Sequence, residues 1–202
     1  MNPPQLWIVA GPNGAGKSTL VAGKNRGRIP VVNPDEVAAR GPRVSFLEAG
    51  REALRLQKEH ISNGDHFIVE TTFSGKRELQ LMEEARAKGF KVNFVYVAIA
   101  SVKQSALRVA QRVAAGGHSV PAADIRRRYE RTMSNLSAGI ASADRAFVLD
   151  NSEERPRLLF VKESGRFRPG RSPLPQWIQP WLDKPIRSAL ARGRDRSEGL
   201  SR

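Results

Sequence analysis

The sequence predicts an α/β fold in which a central, mostly parallel β-sheet lies between two layers of helices. Short apolar segments alternate with longer charged and amphipathic segments from residue 1 to about residue 163, which is the pattern of parallel strands joined by crossover helices. A glycine-rich loop separates the first apolar segment from the first helical one. The 202 residues are 40% hydrophobic, which is enough for one sizeable core.

Six strands are predicted from short apolar runs that are bounded by turn residues. They are residues 6–10, 30–33, 66–70, 92–100, 145–149 and 158–162. The second run ends before Pro34, because a proline ring disfavours the helical conformation at the residue that precedes it. The run at 92–100 is almost uninterrupted, which is typical of a strand that is covered on both faces.

Helices are predicted between these strands. One begins directly after the glycine-rich loop, and the others are residues 45–61, 76–88, 101–114 and 121–141. Gly89 ends the helix at 76–88, and Pro121 suits the first turn of the helix that it begins. Strands and helices therefore alternate along the chain, and the predicted architecture is a three-layer sandwich.

The composition changes after Gly165, where five prolines exclude long regular elements. Residues 166–202 also carry nine Lys or Arg against three acidic residues. The prediction is a domain at 1–165 followed by a basic, Pro/Arg-rich C-terminal extension at 166–202, which is partly disordered and above all beyond Arg192. Within it, residues 177–182 are apolar enough to pack back on the core.

The overall composition excludes several classes of protein. The chain has 34 Lys and Arg against 20 Asp and Glu, a net charge of +14, which attracts polyanions and anionic substrates. The lack of cysteine excludes disulfides and thiolate zinc sites. No apolar run approaches the roughly 20 residues that span a bilayer, and the first residues lack the basic flank of a signal peptide. These features predict a cytoplasmic protein that makes no membrane contact.

Residues 11–18 match the phosphate-binding pattern G-x-x-x-x-G-K-[ST], and they stand between a strand and a helix as this P-loop motif requires. The main chain wraps round a triphosphate, Lys17 reaches the β- and γ-phosphates, and Ser18 is the predicted Mg²⁺ ligand. The predicted nucleotide-binding residues are Gly11, Asn13, Gly14, Ala15, Gly16, Lys17, Ser18 and Thr19. The predicted cofactors are Mg²⁺ and either ATP or GTP, between which the sequence does not choose.

Two carboxylates at strand ends are candidates for substrate chemistry. Asp35 follows the second strand and is placed like a base that accepts a hydroxyl proton; the alternative is an N-cap for the residues after it. Glu70 ends the third strand and is a candidate contact to the substrate or to Mg²⁺-bound water, with Thr72 adding a hydroxyl. For Glu70 the alternative is a strand end that is exposed to solvent.

The Gly-Gly pair at residues 116–117 lies between two helices that carry arginines. Such a hinge is typical of a helical lid that closes over phosphates and excludes water. Arg112 and Arg128 are the favoured catalytic arginines, Arg131 is a candidate substrate contact, and His118 is a candidate lid contact. The alternative is a charged helix face, and it must hold for some of the arginines because neighbouring helical residues point in different directions.

Together these segments resemble the zeta toxin family of P-loop kinases over roughly residues 5–163. The segments that carry the resemblance are the loop at 11–19, Asn-Pro-Asp at 33–35, Glu-Thr-Thr-Phe-Ser at 70–74, the stretch 112–135 and Asp-Asn-Ser at 150–152. The resemblance implies a kinase that phosphorylates the sugar 3′-hydroxyl of UDP-N-acetylglucosamine or a related nucleotide sugar. It also implies a toxin that a small antitoxin protein holds in check.

The resemblance also assigns roles to individual residues. They are Lys17 as the phosphate lysine, Asp35 as the base, Glu70 and Thr72 as substrate contacts, and Arg112 and Arg128 as lid arginines. An alternative from another class is a nucleic-acid-associated P-loop ATPase or a polynucleotide end kinase, which the charge of +14 favours. Against it, only 6% of the residues are aromatic, and no strand interleaves aromatic with basic residues as a base-stacking surface does.

Overall fold

The computed structural model describes residues 2–34, 37, 45–117, 119–170 and 173–199, and their side chains except at 46 and 193–199. The strands among them are β1 (Gln5–Ala10), β2 (Val31–Val32), β3 (Phe67–Thr71), β4 (Lys91–Ala98), β5 (Arg145–Asp150), β6 (Arg157–Glu163) and β7 (Arg166–Pro169). The helices are α1 (Lys17–Asn25), α2 (Phe46–Asn63), α3 (Arg77–Ala87), α4 (Val102–Ala114), α5 (Ala122–Ser142) and α6 (Lys184–Gly199), with a 3₁₀ turn at Gln179–Trp181. The strands and helices that the sequence predicts through residue 163 are all present, with small displacements of their ends.

The seven strands form one sheet in the order β2-β3-β1-β4-β5-β6-β7. The five strands from β2 to β5 are mutually parallel, whereas β6 and β7 pair in the antiparallel sense. Only residues 151–156 connect β5 to β6. A parallel crossover needs about a dozen residues or more, so this short connection makes β6 antiparallel to β5. The prediction of an α/β fold with a mostly parallel sheet is therefore confirmed.

Side chains alternate between the two faces of the sheet. Leu6 and Ile8 of β1 are fully buried in the main core, on the face that α2, α3, α5 and α6 cover. These helices contribute Ala53, Leu81, Met133 and Ile186, respectively, to the main core. On the opposite face, Val21 of α1 packs with Val9 and Ile68 in a separate, smaller apolar cluster. The first helix therefore approaches the sheet from the side away from the main core.

The C-terminal region is tied to the domain, and the prediction that residues 177–182 pack back on the core is confirmed. β7 is the seventh strand of the same sheet, and Ile178, Leu182 and Leu190 are buried in the main core. The prolines permit a long helix here because Pro185 occupies the first turn of α6, where its missing N–H is tolerated. α6 runs from Lys184 to Gly199 and is longer than the elements that the sequence predicts here. The partial disorder of residues 166–202 stays a prediction.

Local sequence signals fix the ends of α2. The Ser45 hydroxyl accepts the main-chain N–H of Glu48, and the Glu48 carboxylate accepts the N–H of Ser45, which is a complete capping box. The Ser45 N–H, and after it the Ser45 hydroxyl, which also donates to the Glu48 carboxylate, hold the pKa of Glu48 below its ordinary value.

In the described part of the chain, none of the helices is long and apolar enough to cross a membrane.

Candidate active site

The phosphate-binding loop joins β1 to α1, and its three motif glycines adopt conformations that other residues rarely reach. The φ angles of Gly11, Gly14 and Gly16 are 140°, 71° and 90°, all in the region that favours glycine. A Cβ atom at Gly11 would also stand 2.1 Å from the carbonyl oxygen of Val97 on β4. The backbone angles thus favour glycine at all three positions, and at Gly11 the close approach of β4 requires it as well.

Neighbouring elements hold this loop by its carbonyl groups. Ser105 of α4 donates its hydroxyl to the carbonyl oxygen of Asn13 at 2.6 Å, and the Asn151 side-chain amide donates to the carbonyl oxygen of Ala15 at 2.7 Å. In a trans peptide unit the N–H points opposite to the carbonyl, so the N–H groups of Gly14 and Gly16 point away from these contacts. Such a fixed set of outward-facing amides is an anion-binding concavity.

Lys17 and the start of α1 add positive charge at the same place. The Lys17 side chain is buried, and its ammonium donates to the carbonyl oxygen of Pro12 at 3.0 Å across the loop. No side chain caps the first turn of α1, and that turn contains no acidic residue. The N–H groups at the start of a helix and the helix dipole therefore favour a bound anion.

A hydroxyl and a carboxylate meet where α1 faces β3. Because β3 lies beside β1 in parallel, with Glu70 opposite Val9, Glu70 comes next to the phosphate-binding loop. Ser18 donates its hydroxyl to Glu70 Oε1 at 2.6 Å, and Glu70 is buried. Hard oxygen donors with a negative charge are what Mg²⁺ requires, so Ser18 and Glu70 fit the metal that the motif implies and are the residues that would hold it.

The segment after β3 forms a polar surface next to this pair. Thr72 and Ser74 are half-buried and their hydroxyls lie 3.1 Å apart. Between them, Phe73 is buried with a φ of 57°, and Asn135 of α5 donates its side-chain amide to the Phe73 carbonyl at 2.9 Å. Asn135 of α5 therefore holds the segment that carries Thr72, a predicted substrate contact.

The predicted lid consists of α4, the turn at Gly116 and α5. Gly116 has a φ of 87° and ends α4 in the left-handed conformation that favours glycine. Arg112 is exposed on α4 and Arg128 is half-buried on α5. Arg128 and the exposed Arg131 stand seven and four positions before Asn135, which places all three on one side of α5. The structure therefore brings Arg128 and Arg131 to the side of the helix that holds the segment after β3.

Two other arginines of α5 fit the alternative interpretation, in which they belong to a charged helix face. Arg126 pairs with Glu130 at 3.3 Å and Arg127 with Asp124 at 2.8 Å, all on the solvent side. Exposed pairs of this kind contribute little to stability. These two arginines therefore belong to the charged surface of the helix.

Two predicted positions, Asp35 and His118, lie outside the described residues. The structure does describe the approach to Asp35: Asn33 is buried, and its carbonyl accepts the N–H of Val37 at 3.0 Å. That bond spans four residues, as in a helical turn. The role of Asp35 as a base stays a prediction.

The loop after β5 lies on the other side of the phosphate-binding loop. Asp150 is buried and accepts bonds from Ser152 and from the Arg157 guanidinium, and its hydrogen bond raises the pKa of Arg157. Arg108 of α4 donates to the Asn151 carbonyl at 2.7 Å. A cleft of about 500 Å³ opens here, lined among others by Gly16, Thr19, Arg108, Asn151 and Pro156.

Two residues that hold the loop were missed or left undecided from the sequence. Ser105 lies in α4 and gives no signal, because a single serine in a helix is common. Asn151 belongs to the Asp-Asn-Ser segment, which the sequence explains equally well as a turn built from Asx and Ser side chains. The structure contains both features, because the Ser152 N–H donates to Asp150 Oδ1 at 2.9 Å while Asn151 contacts the loop.

Comparison with known proteins identifies the family. Residues 6–136 match a family model described as an AAA domain, which covers more than half of the chain. The chain belongs to the AAA domain family. An uncharacterized protein of Haemophilus influenzae is 32% identical to this AAA domain protein over an alignment of 136 residues, and the match covers 62% of this chain and 97% of the relative.

Solved structures of distant sequence share the fold of this AAA domain protein. The AvrRxo1-ORF1:ORF2 complex with ATP matches with a TM-score of 0.69 and 17% identity over 83% of this chain and 60% of that one. The PezAT chromosomal toxin–antitoxin system of Streptococcus pneumoniae matches with a TM-score of 0.57 and 17% identity, over 77% of this chain and 72% of that one. The AAA domain protein thus spans about three fifths of the AvrRxo1 chain, and the similarity establishes the fold alone.

Proposed function

We propose that this AAA domain protein is a phosphotransferase that moves the γ-phosphoryl group of ATP or GTP to a hydroxyl group of a small molecule. The observation that carries the proposal is the pairing of Ser18 with Glu70 at 2.6 Å, directly beside the phosphate-binding loop. A buried carboxylate next to the motif hydroxyl would supply metal-binding oxygens beside the position proposed for the β- and γ-phosphates.

Each residue of the loop has a distinct part in this proposal. The amides of Gly14 and Gly16 bind phosphate oxygens, and Lys17 neutralises charge that develops on the γ-phosphate. Ser18 and Glu70 would hold Mg²⁺, which would supply Lewis-acid stabilisation of the charge on the phosphate groups. The lid arginines Arg112 and Arg128 stabilise the transferring group and exclude water when the lid closes.

The acceptor site is proposed at the carboxyl ends of β2 and β3. Val32, which ends β2, pairs with Val69 in parallel register, so the chain leaves β2 at the sheet edge where Glu70 lies. Asp35, three residues further on, is proposed as the base that takes the proton of the acceptor hydroxyl. Thr72 and Arg131 are proposed substrate contacts, since a threonine hydroxyl and a guanidinium suit a polar, anionic acceptor.

The finer proposal follows the resemblance to zeta toxins. The acceptor is a nucleotide sugar such as UDP-N-acetylglucosamine, and the protein is the toxin of a toxin–antitoxin pair with a small antitoxin as partner. Support comes from the ordered motifs of the sequence and from the similar fold in PezAT, a toxin–antitoxin system. The net charge of +14 suits an acceptor that carries a diphosphate.

The direct test is incubation of the protein with γ-labelled ATP or GTP, Mg²⁺ and a panel of nucleotide sugars, nucleosides and oligonucleotides. Label in a nucleotide sugar, with the sugar 3′-hydroxyl as the modified position, is the expected result. Label on an oligonucleotide end would instead support the alternative of a polynucleotide end kinase. Label found only as inorganic phosphate would make the protein a hydrolase and overturn the proposal.

Replacing Asp35 by asparagine is expected to reduce phosphotransfer by about 10²–10⁴-fold, because asparagine keeps the shape but cannot accept the hydroxyl proton. Binding of the nucleotide, measured by calorimetry, should stay unchanged. The measurement is single-turnover transfer to the acceptor that the panel identifies. Normal turnover in Asp35→Asn would remove this residue from the mechanism.

Replacing Glu70 by glutamine is expected to raise the Mg²⁺ concentration at half-maximal phosphotransfer by about 10–100-fold, because a neutral amide is a poor partner for the metal. The affinity for nucleotide without Mg²⁺ should change little. Glu83→Gln, an exposed position on α3, is the matched control and should leave the Mg²⁺ dependence as in the wild type. An unchanged dependence in Glu70→Gln would place the metal elsewhere.

A further inference from the structure

One face of the sheet carries an apolar groove of about 520 Å³ on the side of α1. Its floor crosses five adjacent strands, and its wall is α1 with the turn that follows. The residues that line it are Trp7, Val9, Leu20, Val21, Lys24, Asn25, Arg28, Ile29, Ile68, Val95, Phe147, Leu149 and Leu158. This set of residues is called the apolar groove below.

The apolar groove leaves large side chains in contact with solvent. Leu158 is 42% exposed, and Trp7, Val95, Phe147 and Leu149 are half-buried. On the other face of the same strands, Phe94, Val148 and Phe160 are fully buried in the main core. A contiguous apolar patch of this kind, next to polar residues, is typical of an interaction surface.

The dimensions of the open part suit one helix. Beyond α1, the floor is formed by Val95 on β4, Phe147 and Leu149 on β5, and Leu158 on β6. Three adjacent strands span two spacings of about 4.8 Å, or roughly 10 Å, which is the diameter of an α-helix with its side chains. A helix that lies beside α1 on this floor would complete the second helical layer of the sandwich.

The charges at the apolar groove indicate an acidic occupant. Among the described residues of its lining, Lys24 and Arg28 are the charged ones, both are exposed, and none of those residues is a carboxylate. Arg145 lies against Trp7, with its guanidinium carbon 5.9 Å from the ring centre, and its own acidic neighbour Glu163 is 3.9 Å away. A second copy of this chain, which carries a net charge of +14, would oppose like charges in a symmetric contact.

We propose that the apolar groove is the docking site for one amphipathic helix of a partner protein, with leucine-type side chains on its inner face and acidic residues along the flanks of that face. The helix packs alongside α1, and its carboxylates pair with Lys24 and Arg28. This site is distinct from the phosphate-binding loop and does not depend on the proposed phosphotransfer. Leu20 and Lys24 also line the cleft beside that loop, so an occupied groove adjoins it.

The test uses the full chain and fluorescein-labelled synthetic peptides of about 18 residues, which is five helical turns. One set carries Leu at positions i, i+3, i+4 and i+7 with Glu at the flanking positions, and a matched set carries Lys in place of Glu. Binding is measured by fluorescence anisotropy. The variants are Leu158→Asp and Arg28→Glu, and the matched controls are Leu47→Asp and Lys58→Glu, both at exposed positions on α2.

Saturable binding of the acidic peptides, and not of the lysine set, is the expected result. Leu158→Asp and Arg28→Glu should each weaken it by about tenfold or more, since each removes an apolar or charged contact, while the two controls bind as the wild type does. Hydrogen exchange should show added protection in α1 and β5 on peptide binding. Equal binding of both peptide sets, no binding, or a concentration-dependent dimer that Leu158→Asp abolishes would overturn the proposal.

Discussion

Replacing Lys17 by methionine is expected to lower the rate of phosphotransfer by a factor on the order of 10³. Methionine keeps the apolar stem that fills the buried position and removes the ammonium that Lys17 directs across the loop to Pro12. The remaining amides of the loop still attract phosphate, so nucleotide binding weakens less than the rate. Single-turnover transfer and calorimetric titration with ATP separate the two effects.

The control for this substitution is Lys58→Met, which removes an exposed ammonium from α2. It should leave both the rate and the affinity for ATP unchanged. The thermal midpoint of Lys17→Met should stay close to that of the wild type, because the side chain's packing is conserved. If Lys17→Met retains most of the wild-type rate, the loop does not bind the transferred phosphoryl group and the proposed function fails.

Replacing Gly11 by alanine is expected to lower the free energy of unfolding by about 3–5 kcal/mol, the largest effect on stability. A φ of 140° is strained for alanine, and the added Cβ would stand 2.1 Å from the Val97 carbonyl oxygen. Relief requires that β1 and β4 move apart, although these two strands lie at the centre of the sheet. Urea unfolding monitored by circular dichroism measures the change.

Gly50→Ala provides the matched control for the glycine effect. Gly50 lies within α2 and has open space where a Cβ would be placed, so alanine should stabilise the protein by about 0.5–1 kcal/mol through its higher helix propensity. The two substitutions add the same methyl group and are expected to act in opposite directions. A Gly11→Ala variant whose unfolding midpoint equals that of the wild type would show that β1 and β4 are not in close contact.

The arrangement of strands and helices through residue 163 is largely predictable from the sequence. Apolar runs at 92–100 and 66–70 become β4 and β3 because each fills a central position in the sheet, where both neighbours are strands. The long helix after Gly165 is not predicted because proline counts do not reveal position within a helix. Pro185 stands in the first turn of α6, where it is compatible with the helix, and Ile186 and Leu190 bury that helix against the core.

Some residues of the candidate site are likewise predictable from the sequence, and others are not. Lys17 and Ser18 are identified from one continuous motif, since the conformations that wrap a phosphate require glycines at fixed spacing. Asn151 and Ser105 are not, because a polar residue on a loop or helix shows its partner only when the chain is folded. Arg126 and Arg128 carry the same charge two positions apart, and only the structure separates an exposed ion pair from a half-buried lid position.

The sequence by itself determines the fold class and the phosphate-binding loop, because both depend on local patterns: periodic apolar residues and glycines at fixed spacing. Only the tertiary structure decides which residues complete the site. Ser18 and Glu70 are 52 residues apart, Asn13 and Ser105 are 92 apart, and Ala15 and Asn151 are 136 apart. Contacts over such separations follow from the order of the parallel strands in the sheet. The carboxyl ends of β3, β4 and β5 lie at the same edge of the sheet as the carboxyl end of β1.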